Sequence, residues 1–207
     1  MEPSLSPPSR FFARSLQAAG HSLSITPDER GQVKDACLKR LQYLHETLPE
    51  RFRRAIELVQ SNMDVLFDPS NRYPWLPVHG DLSRLNILVN QTIGRLTGVI
   101  DLAELCVMPL GFDFYVIDEI VGIWYSEQGW VEHANAGAVR AHFWSTLLAL
   151  TGMSNADRQK IKIAWLAGIL FRYGTPPNAG FSGVLGTRND SVSGFDILDG
   201  LVSQYAT

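Results

Sequence analysis

Cysteine is nearly absent. The 207 residues carry two, Cys37 and Cys106, too few for a disulfide framework or a cysteine-built metal site. Cys37 falls on an apolar helical stripe and reads as a small buried hydrophobe. An excess of one charge is missing as well. The formal net charge is −3 and the isoelectric point about 5.9, so nothing draws the chain toward nucleic acid or an anionic membrane. Its one basic cluster, Arg51-Phe52-Arg53-Arg54, lies on a helical pattern, where it reads as a solvated face. Long hydrophobic runs are lacking too. The longest, near residues 163–171, is far short of a bilayer span, and neither MEPSLSPPSR nor Phe11-Phe12-Ala13 makes a signal-peptide core. A soluble, cytoplasmic protein is the expectation.

What the chain has is an ordinary globular balance, 45% apolar and 19% charged residues, and enough length to bury a sizeable core. Residues 1–25 begin rich in Pro and Ser and read as a loose N-terminal segment. Thr26-Pro27-Asp28-Glu29 then reads as a helix start, with Thr26 as cap, Pro27 at the first helical position and Glu29 as the capping-box acid. Val33, Cys37, Leu41, Leu44 and Leu48 follow at spacings of three and four, one apolar stripe of a helix. A second helix after Pro49 carries Phe52, Ile56, Val59 and Met63. Residues 69–77 read as a polar, aromatic-studded connection.

The period then changes. Asn-Ile-Leu-Val-Asn (86–90) and Leu-Thr-Gly-Val-Ile-Asp (96–101) read as the two strands of a hairpin around a glycine-containing loop. Helical periodicity returns over 112–126, 135–151 and 155–173, and Gly174-Thr175-Pro176-Pro177 stops it. Residues 176–207 read as a mostly irregular tail with a short helix near 197–205. The expected fold class is α+β and mainly α: a helical unit spanning 26–175 with one β-hairpin at its centre.

The hairpin carries the chemistry. Within LPVHGDLSRLNILVNQTIGRLTGVID (76–101), Asp81 precedes Asn86 by the interval of a kinase catalytic loop, where the Asp orients a hydroxyl and the Asn holds magnesium. Asp101, at the end of the second expected strand, projects a carboxylate toward the same place. One amide oxygen, one carboxylate and phosphate oxygens form a set that suits magnesium. A divalent ion also answers the repulsion of two carboxylates about 5 Å apart, roughly 3 kcal/mol at an effective dielectric of about 20. His79-Gly80-Asp81 alone is a weak signal, since His79 and Asp81 could simply bond a turn. The constellation is what carries the reading.

HGDLSRLNILVN followed by GRLTGVIDLAE resembles the catalytic core of the aminoglycoside phosphotransferase family, which shares the protein-kinase-like fold. The likeness implies Asp81 as catalytic base, Asn86 and Asp101 as ligands of magnesium with ATP, and His79 as the histidine that orients the loop. It further implies that Asp113 of Phe112-Asp113 braces the loop. FFARSL (11–16), LPERFR (49–54) and LFRYG (170–174) add a looser likeness to the fungal branch of the family. Asn90 stands where the family usually has Asp, and Leu102 where it usually has an aromatic residue. Glu104 is a further acid beside the site, either a binder of substrate amines or a solvated loop acid.

The family's N-terminal β lobe brings a glycine-bearing loop over the phosphates and a strand lysine. Before residue 76 this chain has only Gly20 and Gly31, no Gly-x-Gly, and its lysines Lys34 and Lys39 lie on the capped helix. The expectation is therefore the C-terminal lobe alone, with the N-terminal β lobe missing. The implied partners are a nucleotide and a small hydroxyl- or amine-bearing acceptor. An apolar face left without its small lobe invites another protein or self-association. An inactive, partner-binding lobe is the alternative to a phosphotransferase.

Overall fold

The computed structural model describes residues 25–71, 73–176, 179, 181, 184–185 and 193–205. The loose segment expected over 1–25 lies outside them except for Ile25, as do residues 186–192 of the expected tail.

Helix α1, Pro27–Thr47, starts as the sequence dictates. Thr26 Oγ1 accepts the Glu29 amide at 3.2 Å, and the Glu29 carboxylate accepts the Thr26 amide at 2.8 Å, closing a capping box. Its stripe of Cys37, Leu41 and Leu44 is buried, continued by Leu48. The second expected helix is broken in two. A 3-10 turn, Glu50–Phe52, leads into α2, Arg53–Ser61, and α3, Met63–Phe67, follows separately. The break falls at Asn62, whose side-chain amide donates to the Leu58 carbonyl at 2.8 Å and so competes for a helix acceptor. Phe52, Ile56, Val59 and Met63 nonetheless all reach the core.

The described residues form three two-stranded antiparallel sheets where one hairpin was expected. Strands β2, Ile87–Asn90, and β3, Arg95–Val99, form the expected one. Asn90 turns its side-chain oxygen back onto the amides of Thr92 and Ile93, so it shapes the turn rather than the site. Strands β1, Trp75–Val78, and β4, Cys106–Pro109, pair across the chain, Leu76 opposite Met108 and Val78 opposite Cys106. Residues 75–77 are thus strand, not connection. Packing creates it: the Trp75 indole donates to the Leu66 carbonyl at 3.3 Å and meets Phe67 edge-on.

The helix expected over 112–126 runs only from Tyr115 to Val121, as α4. Strands β5, Gly122–Tyr125, and β6, Gly129–Glu132, follow it. At Gly122 a Cβ would come within 2.6 Å of the Trp130 ring, so the close pairing there requires glycine. Helices α5, Ala136–Thr151, and α6, Asp157–Gly174, agree with their periodicity. Helix α7, Ser193–Val202, closes the described chain. The whole is mainly α with small antiparallel sheets, and no described helix is long and apolar enough to cross a membrane.

Helix α6 is the axis. From Ala164 to Phe171 every residue is buried, as befits a helix apolar on nearly all sides. It packs against α1, α2, α3, α4 and α7. A buried carboxylate fastens the surrounding elements to it. Asp118, on α4, accepts from the Trp165 indole at 2.7 Å, from Arg140 of α5 at 3.0 Å and from the Tyr205 hydroxyl at 3.1 Å. Burial pushes the Asp118 carboxyl up, and the Arg140 hydrogen bond and charge oppose that shift. Arg51 and Asp199 tie α7 down from the other side with two bonds, at 2.6 and 2.7 Å.

Removing the Asp118 carboxylate leaves Arg140, Trp165 and Tyr205 without their common acceptor. Asp118→Ala is expected to cost about 3–5 kcal/mol, read as a lowered midpoint in denaturant unfolding.

Candidate active site

The site is assembled where two strand pairs end together. The pairing of Ile87 with Val99 aligns the start of β2 with the end of β3, and the Ile100 amide donates to the Asn86 carbonyl at 3.0 Å. Asn86 and Asp101 therefore lie at the same end of the hairpin. Asp101 is not itself in the strand, as the sequence suggested. The strand stops at Val99, and Asp101 takes a left-handed conformation (φ 62°, ψ 60°) ahead of a 3-10 turn, Leu102–Glu104. It is the sole non-glycine with positive φ among the described residues. Aspartate tolerates that region better than most residues, and such strain gathers at functional positions.

His79 joins the loop to this end of the hairpin. Its Nδ1 accepts the Asp81 amide at 3.3 Å, which leaves Nε2 to carry the hydrogen and donate to the Ile100 carbonyl at 2.8 Å. One imidazole thus spans from the amide of Asp81 to the residue before Asp101. Asn86 adds a second tie, its side-chain NH2 donating to the Asp81 carbonyl at 2.9 Å. The amide oxygen of Asn86 is then the group left to face a ligand.

Asp113 holds the loop from behind. Its two carboxylate oxygens accept the backbone amides of His79 at 2.5 Å and Gly80 at 3.3 Å. Burial pushes this carboxyl up to about 6, against the lowering effect of those two amides. Gly80 must be glycine twice over. Its φ is +79°, and a Cβ there would sit 2.5 Å from the Glu104 carbonyl oxygen. Glu104 therefore takes part through its backbone, which supports the turn.

Asp81 projects its side chain beyond this frame, where it meets a residue to which the sequence assigned no role. Arg172, in the last turn of α6, places Nη2 at 2.7 Å from Asp81 Oδ1. The contact is an ion pair outside hydrogen-bond alignment. Asp81 Oδ1 and Arg172 Nε are both buried atoms without a hydrogen-bond partner among the described residues. Glu119 makes a further link, accepting the Arg84 amide at 3.2 Å with one oxygen and the Tyr173 hydroxyl with the other. A charged residue closing the run Leu166 to Phe171 was the available signal for Arg172, because a cation beside so apolar a stretch needs an acid.

His79, Asp81, Asn86, Asp101 and Asp113 are thus gathered around one turn and one strand end. The donor set left facing outward is oxygen: the Asn86 amide oxygen and the exposed Asp101 carboxylate, which has no hydrogen-bond partner among the described residues. Such a pair suits a hard divalent cation that brings its own water or phosphate oxygens, and magnesium fits it.

Gly80→Ala is expected to lower stability by about 1–3 kcal/mol, from a strained φ and the Glu104 contact, measurable by urea unfolding. Asp113 sets a pH dependence. Its unfolded value is about 3.9, so between there and about 6 the folded chain holds the extra proton. The contribution of this group to stability is complete below its unfolded value and is lost as pH rises through about 6. Unfolding compared at about pH 4 and about pH 8 should show wild type losing ground to Asp113→Asn at the higher pH.

The sequence profile of the Phosphotransferase enzyme family matches residues 4–150 of the chain. No curated protein matches it. The profile covers well over half of the chain and includes the whole constellation from His79 to Asp113. On that extent of agreement, the chain belongs to the phosphotransferase enzyme family.

Proposed function

We propose that the protein is a kinase-like phosphotransferase using magnesium and ATP, with a small hydroxyl- or amine-bearing molecule as acceptor. The observation that carries this reading is the shared end of β2 and β3, where Asn86 and Asp101 face outward beside the loop that presents Asp81. In this reading the described residues form the helical lobe of the protein-kinase-like fold, and the site works in the cytoplasm.

In this reading each residue has its own task. Asp81, held by its backbone through His79 and Asn86, orients the acceptor and takes its proton as the new oxygen–phosphorus bond forms. The bond between the γ-phosphorus and the ADP oxygen breaks, and ADP departs. Asn86 Oδ1 and the Asp101 carboxylate would hold the divalent ion, which would supply positive charge to neutralise the phosphate oxygens. His79 and Asp113 touch neither reactant and keep the turn in shape. Glu104 is suited to face a cationic group on the acceptor, since its side chain is only partly buried beside the turn.

A second reading has its own observation. Leu85 is 81% exposed, and Leu88, Val89, Ile93, Ile100, Leu102 and Leu105 are also exposed along the same hairpin and turn. Such a run beside a site favours a lobe that binds another protein or a second copy of itself, with or without catalysis.

Transfer of labelled γ-phosphate from ATP, to water or to a panel of amino and hydroxyl acceptors, separates the two. The phosphotransferase reading expects magnesium-dependent transfer that falls by about a thousandfold or more in Asp81→Asn. Transfer that is absent from wild type, or equal in the variant, leaves the binding lobe as the better account.

A further inference from the structure

We propose that the last turn of α6 positions the catalytic loop, with Arg172 holding the Asp81 carboxylate and Tyr173 holding the loop backbone through Glu119. The proposal rests on the phosphotransferase reading only in calling Asp81 catalytic. Arg172 is a positioning residue: it acts on the reacting centre through Asp81.

Three observations carry it. First, Asp81 is tied by backbone atoms on both sides, to His79 Nδ1 and to the Asn86 side chain. These bonds do not touch its carboxylate, which among the described residues has one close contact, Arg172 Nη2 at 2.7 Å. An aspartate side chain without such a contact samples several rotamers, and a catalytic oxygen misplaced by about 1 Å loses much of its effect. With Oδ1 engaged, Oδ2 is the oxygen left for an acceptor hydroxyl.

Second, Arg172 and Tyr173 are consecutive on a helix, so their side chains leave about 100° apart. They grip two points of one loop. Arg172 reaches Asp81, while the Tyr173 hydroxyl donates to Glu119, whose other oxygen accepts the Arg84 amide. The two grips bracket the tight turn between Asp81 and Arg84.

Third, the gripping element is deeply buried and packed on many sides. Residues 164–171 of α6 are all buried, and the helix touches most of the others. A cation in its final turn is also favoured by the helix dipole. Arg172 Nε and the fully buried Tyr115 hydroxyl both lack a hydrogen-bond partner among the described residues. Neighbouring polar atoms left unsatisfied beside the ion pair are a cost in stability, which fits a pair retained for placement rather than strength.

The test uses the purified chain with Arg172→Gln, Arg172→Lys and Tyr173→Phe. Amide hydrogen exchange of residues 79–90 is read against that of Ala136–Thr151, together with the melting midpoint and magnesium–ATP turnover with water as acceptor. The expected result is exchange faster by roughly tenfold at 79–90 in Arg172→Gln and Tyr173→Phe, with α5 and the midpoint unchanged. Arg172→Lys should restore most of the protection, since it keeps the charge. Turnover by Arg172→Gln should fall by about a hundredfold with KM for ATP unchanged.

Unchanged exchange at 79–90 overturns the proposal. So does faster exchange throughout with a lowered midpoint, which would make the pair merely structural. Higher turnover in Arg172→Gln also overturns it, because Arg172 would then be blocking Asp81. If wild type turns over no ATP, the phosphotransferase reading fails, while the exchange result still decides whether α6 positions the loop.

Discussion

Two backbone amides pointing at one carboxylate hold this site together. The amides of His79 and Gly80 both donate to Asp113, and that bond fixes where the turn after β1 lies relative to the segment after β4. Everything beyond depends on it. The ring of His79 can bridge from Asp81 to Ile100 only because its backbone is anchored. Asp101 follows Ile100 and so takes its place relative to Asp81. Holding the Asp113 carboxylate partly away from water is unfavourable for its charge, and that desolvation raises its pKa. Two charge-assisted bonds to backbone offset part of that cost. A half-buried acid kept at such expense marks a turn whose geometry matters.

Around that turn the molecule uses few rigid parts. Helix α6 supplies the core, Asp118 fastens α4, α5 and the Tyr205 region to it, and two short strand pairs converge on the loop. The exposed hairpin and the buried helix have different tasks. The hairpin carries Asn86 and Asp101 at one end, and the helix brings Arg172 to the loop. Arg172 and Tyr173 lie where the two meet.

How much of this was legible in the sequence depends on distance along the chain. Thr26 and Glu29 announced the start of α1 because a capping box is local chemistry. Asp81 and Asn86 were legible for the same reason, since their separation in one loop sets their separation in space. Asp113 was reached only by family resemblance, because nothing local says that its carboxylate folds back onto His79. The pairing of β1 with β4 was missed. A strand of Trp-Leu-Pro-Val between prolines has no period to read, and it exists because Leu76 meets Met108. Strand β5 was read as helix because Ile123, Trp124 and Tyr125 extend the apolar run of α4, and β6 fell between two expected helices. The packing of Trp130 on Gly122 decided otherwise. Arg172 was hidden by the same rule: its partner Asp81 lies far away in sequence.

The chain belongs to a phosphotransferase family, and the proposal is that Asn86 and Asp101 hold nucleotide through magnesium. Calorimetric titration of the chain with ATP, with and without magnesium, addresses that directly. The account predicts saturable binding that requires magnesium and is lost in Asp101→Ala, in a variant whose unfolding midpoint matches wild type. Binding that survives in Asp101→Ala, or no binding by either protein, would contradict it.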